Sequence, residues 1–144
     1  IADLFDEAAG MLPVEQTSTA YGRASSVAAK AIKSRLLLYA ASPLFNGNSE
    51  YYADFKSKLD GRNLISQTYD EKKWQRAATA AREAIDAATA AGYALYTDPS
   101  VSKSKFEMPS DDVQRVLRLN FIDYNNSKEV LWADTRKEMN YGLQ

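Results

Sequence analysis

The chain has 144 residues, 45% hydrophobic and 26% charged, the proportions of an ordinary globular domain. Eighteen Lys and Arg against nineteen Asp and Glu leave a formal charge of −1 with no basic cluster, which excludes a nucleic-acid footprint and a polybasic membrane patch. With no Cys and no His, disulfides, thiolate zinc sites, cysteine nucleophiles and the commonest general base and metal ligand are all excluded.

Leu4, Ala8 and Met11/Leu12 recur at helical spacing from Ile1, and Gly10 and Pro13 stop the run. The start is acidic rather than signal-like and lacks a Met, so we expect a piece of a longer protein. Ser25 or Ser26 can cap a second helix reaching about Ser42. Its end, Leu36-Leu37-Leu38-Tyr39-Ala40-Ala41, is apolar on every side, which predicts neighbours on more than one face. Ser42-Pro43 and Asn46-Gly47-Asn48 end it, and a polar, Tyr-containing connection runs over 49–67.

Thr68-x-x-Glu71 reads as a capping box for a helix over 70–91, with Gly92 in the C′ position. Trp74, Ala78, Ala81, Ile85 and Ala88 form one stripe of this helix, and Ala77, Ala80, Ala84, Ala87 and Ala91 form another. Two small-residue faces predict close packing on both sides, as in a stack of helical hairpins. The predicted fold is therefore all-α, tetratricopeptide-like stacked helical hairpins with long loops, in one unit over 1–144. Beyond it, 93–110 reads as loop, Val113–Asn120 as a short amphipathic run and Lys128–Trp132 as a short strand.

Several of these segments together resemble one family. Ile1-x-Asp3-Leu4, Leu12-Pro13, Gly22-Arg23-Ala24-Ser25 and Leu36-Leu37-Leu38-Tyr39-Ala40-Ala41-Ser42-Pro43-Leu44-Phe45-Asn46 are similar to the paired repeat helices of SusD/RagB proteins. Trp74-x-x-Ala77-Ala78 through Gly92-Tyr93-x-Leu95-Tyr96, and then Asn126-Ser127-Lys128-Glu129-Val130-Leu131-Trp132, resemble the next repeat helix and the segment that follows it. The resemblance implies a parent of several hundred residues in a Bacteroidetes-like bacterium, lipid-anchored at the outer-membrane surface. Such a parent passes nutrient oligosaccharides, or sometimes peptides, to a SusC-like TonB-dependent transporter. It implies a non-enzymatic protein without a cofactor, touching the membrane only through an anchor outside these residues.

Sugars are held by aromatic faces and by Asn, Asp and Arg side chains that satisfy hydroxyls. Asn46, Asn48, Tyr51 and Tyr52 fit that description, as do Tyr124, Asn125 and Tyr141; each also fits a plain loop or a contact within a larger parent. Trp74 and Tyr39 read as packing residues, and Arg23 as a group that fixes its loop. Asp111-Asp112 and Asn46-Gly47-Asn48-Ser49-Glu50 offer oxygens to calcium without the alternating spacing of a binding loop, and we expect no metal. A repeat adaptor for peptides and a two-carboxylate glycosidase are the competing readings.

Overall fold

A computed structural model describes residues 1–97, 112–122 and 127–133. The described residues are all-α: α1 (Ala2–Met11), a 3-10 turn (Ser18–Ala20), α2 (Ser26–Ala41), α3 (Ser49–Tyr52), α4 (Lys72–Ala90) and α5 (Asp112–Ile122).

α2 is the central element, with α1 packed on it from one direction and α4 from another. Its start is fixed by Ser25, whose buried hydroxyl accepts from the Ala28 N–H at 3.2 Å, while the Ser26 N–H donates to the Pro13 carbonyl at 2.8 Å. That second bond ties the exit of α1 to the start of α2, so the two helices run antiparallel. Val27, Ala28, Ala29 and Ala41 of α2, Ala9 of α1 and Ala77, Ala80 and Ala84 of α4 are buried. Small side chains at these positions let the helix axes come close.

Lys33 bridges all three helices. Its ammonium lies 2.7 Å from Asp6 on α1 and 3.7 Å from Glu83 on α4, with its side chain only 14% exposed.

The expected end signals of α4 hold at one end only. At its exit Gly92 takes φ +82, its N–H donates to the Thr89 carbonyl, and the Tyr93 N–H donates to that of Ala88, which is a Schellman closure. At its start the expected capping box does not form, and Glu71 makes no side-chain cap bond. Asp70 takes over, its carboxylate accepting from the Lys72 N–H at 3.0 Å, because Asn46 holds the Asp70 backbone in place.

Further expectations need correction. The Ala77/Ala80/Ala84 stripe is covered by α2, but the other stripe is covered only in part: Ala81 and Ala88 are half-buried, whereas Trp74 is 38% and Ile85 55% exposed and Ala78 faces solvent. Trp74 thus lies at the edge of the packing rather than filling a groove. Leu38 and Tyr39 on α2 are also half exposed, with the Tyr39 ring covered on one face by the Arg35 guanidinium at 5.4 Å. Among the described helices α4 has α2 alone as a neighbour, so one of its stripes is buried, while α2 has both α1 and α4, and Leu38 and Tyr39 lie outside either contact. Residues 128–132 form no strand, since a single backbone bond, from the Ala94 N–H to the Lys128 carbonyl, joins them to the segment after α4. The amphipathic run expected at Val113–Asn120 is helical, within α5. The loop expected beyond Thr97 lies largely outside the described residues.

The two faces of α4 should respond differently to added bulk. We expect Ala80→Leu to cost about 1–3 kcal/mol by overpacking, and Ala78→Leu to stay within about 0.5 kcal/mol. Urea unfolding of both variants checks this, and equal losses would contradict the one-sided burial. The Lys33 clip adds a pH dependence: the hydrogen bond to Asp6 raises its ammonium above the ordinary 10.5, against a smaller opposing effect of burial. A folded-state pKa above the unfolded one means that this stabilisation is complete below pH 10.5 and is lost as pH rises through the raised value. Lys33→Met should flatten that alkaline loss in unfolding curves taken across the range.

Candidate functional site

Two aromatic regions lie at opposite ends of the α2–α4 pair. The first is the connection after α2, where Asn46, Asn48, Tyr51 and Tyr52 come together. Asn46 is 4% exposed, and its side-chain amide donates to the Asp70 carbonyl at 2.9 Å and the Ala41 carbonyl at 3.4 Å. Its oxygen accepts from the Asp70 N–H at 2.9 Å. Both donors are therefore spent inside the chain, and Asn46 fastens the end of α2 to the start of α4 instead of facing a ligand.

Gly47 follows with φ +83, and a Cβ there would sit 2.3 Å from the Tyr69 nitrogen, so the joint admits no side chain. Asn48 caps α3 by accepting from the Tyr51 N–H at 3.1 Å. The Tyr52 ring stacks on Phe45 with centroids 6.1 Å apart and meets Phe55 at 6.0 Å, while Gln67 donates to the Tyr52 carbonyl. Tyr51 stands outside this cluster, 69% exposed. It is the outward ring of the four predicted residues placed here. Tyr124, Asn125 and Tyr141 lie outside the described residues.

The second region is a cleft of about 180 Å³ at the other end, lined by Glu15, Tyr21, Arg23, Tyr93, Lys128 and Trp132 among others. Four stretches of chain build it. The Trp132 indole N–H donates to the Gly22 carbonyl at 2.7 Å, and the Gln16 amide donates to the Ala24 carbonyl, which closes the loop before α2. The Schellman turn of α4 delivers Tyr93, and the Ala94–Lys128 bond brings in the last segment.

Trp132 and Tyr21 are 54% and 42% exposed, so both offer ring surface at this cleft. Burial, then the nearby Glu15 carboxylate and Tyr21, push the Tyr93 hydroxyl above its ordinary pKa of 10.0. Tyr93 is thus a neutral donor and acceptor at physiological pH. Arg23 does not fix its loop through its guanidinium, since the backbone makes that contact, from the Arg23 N–H to the Ala20 carbonyl.

No family model matches this chain, and no curated relative does. The solved structure of a protein named BT4246 superposes on 94% of it with a TM-score of 0.71 and 34% sequence identity. The selenomethionine form of BT4246 gives 0.70 at the same identity and coverage. Each match covers 26% of the BT4246 chain, so these 144 residues span about a quarter of that protein's length.

Arg23, Tyr93, Lys128 and Trp132 lie within motifs that the sequence displays, but nothing in those motifs marks them as parts of one site. Glu15, Tyr21, Tyr93, Lys128 and Trp132 are separated by up to 117 positions and meet through backbone bonds that no local pattern announces. Among the described residues no acidic cluster can hold a metal ion, and no helix is long and apolar enough to cross a membrane.

The two kinds of predicted site residue should separate by stability. We expect Asn46→Ala to cost about 1–3 kcal/mol by removing its hydrogen bonds to the Asp70 and Ala41 backbone, and Tyr51→Ala to stay within about 0.5 kcal/mol. Chemical denaturation measures both, and a large loss for Tyr51→Ala would place that ring in the core.

Proposed function

We propose that the chain belongs to a SusD/RagB-type protein that captures oligosaccharides at the outer-membrane surface, without cleaving them, for a SusC-like TonB-dependent transporter. The observation that carries this reading is the cleft: exposed Trp132 and Tyr21 rings beside charged and hydroxyl side chains, the combination that grips the C–H face and the hydroxyls of a sugar. The resemblance of the helical motifs supports the same reading, and the helices act as the scaffold. Tyr51 and the neighbouring Phe45–Tyr52–Phe55 cluster form a second, shallower platform.

Such open sites lose much of their interaction energy to ordering the ligand, so affinities fall in about the micromolar to millimolar range. Calorimetry of the natural full-length protein against a polysaccharide panel should show binding to at least one member with no new reducing ends. Trp132→Ala should weaken that binding about tenfold or more, and Trp132→Phe less, since an aromatic surface remains for the sugar C–H face. Failure of every glycan to bind, or release of shortened product, would overturn the reading.

A further inference from the structure

The charge at the cleft is the reverse of the chain's. The whole molecule carries −1, yet the cleft sets Arg23 and Lys128 against the single carboxylate Glu15. Among the described residues none of these three side chains has an ion pair or a hydrogen bond within the protein. Exposed cations can serve neutral hydroxyls, but two of them at one opening with no carboxylate paired to either leave an excess of positive charge there that a neutral sugar does not use. A ligand carboxylate does, because a guanidinium and an ammonium bind it through charge-assisted hydrogen bonds.

We propose that this cleft selects a sugar bearing a carboxylate, a uronic acid unit within an oligosaccharide, through Arg23 and Lys128. This rests on the glycan-capture reading and narrows it. Backbone bonds fix the two segments that carry the cations: the Arg23 N–H donates to the Ala20 carbonyl at 3.0 Å, and the Lys128 carbonyl accepts from Ala94 at 3.1 Å. The carbonyl of Gly22, next to Arg23, accepts from Trp132, so the loop that carries the cation is tied to the ring that stacks on the sugar. At about 180 Å³ the cleft is smaller than the roughly 300 Å³ of a site that encloses a drug-sized ligand. It therefore takes one sugar ring of a longer chain, and Glu15 accepts from a hydroxyl of that ring.

The test is calorimetry of the natural full-length protein with a panel of uronic acid oligosaccharides, each paired with its carboxyl-reduced, neutral counterpart. At least one acidic member should bind about tenfold tighter than its reduced form, the factor that one charged hydrogen bond carries. The advantage should shrink with added salt and disappear in Arg23→Gln and Lys128→Gln, whose melting temperatures check that they fold. Reduced forms that bind as tightly as the acids would overturn the charge selection and leave glycan capture standing. If neither form binds and no neutral polysaccharide does, both ideas fall. A carboxylate-terminated peptide that binds through the same two residues, where the sugars do not, would replace the sugar with a peptide.

Discussion

The side-chain amide of Asn46 does the work of a peptide group at the point where α2 meets α4. By donating to and accepting from the backbone of Asp70 it copies the pairing of a sheet ladder across a helix junction. The bonds are short and the Asn46 side chain is buried, so losing it would remove the contacts that hold the Asp70 backbone against the end of α2. Because Asn46 fixes Asp70, and Asp70 caps the first turn of α4, the register of α4 along α2 is set here. Gly47 completes the constraint by letting the chain pass against Tyr69 where any side chain would collide. The covered alanine stripe and the placement of the cleft at the far end both follow from that register.

From this joint outward the packing relies on small residues and a single ionic clip. Alanines carry little surface, so each contributes modestly, and the gain is the closeness of the axes. Lys33 extends its stem along that narrow space and reaches carboxylates on both neighbouring helices. Its stem adds apolar contact between helices that have few large side chains to offer. Large apolar groups, including Leu38, Tyr39, Trp74 and Ile85, remain toward the outside of the packing.

The helices were legible because their signals are local. Ser25 before an apolar run and Gly92 after one each dictate a backbone conformation within a few residues. Thr68-x-x-Glu71 carried the same kind of signal and failed, because a partner 24 positions away, Asn46, had already fixed the backbone between them. The second alanine face of α4 failed for a related reason: periodicity reports that a face can be packed, not that a neighbour is present. Asn46 and Tyr51 drew the same reading from sequence, since both are residues that sugars favour. Burial separates them, and burial is a property of the joint rather than of the residue. The cleft was illegible because its members are gathered by bonds such as that from Trp132 to Gly22, across 110 positions.

The two aromatic regions are held at a fixed separation by the helices between them. α2 has 16 residues, which at about 1.5 Å of rise per residue puts about 24 Å between its end on the side of the Tyr51 platform and its end on the side of the Trp132 cleft. One sugar ring can touch only one of them. A chain of several rings long enough to reach both would gain from the second contact as an intramolecular event, with the scaffold fixing the distance. A glycan reader built on this scaffold would therefore favour polymers over short sugars through geometry alone, even with each contact weak.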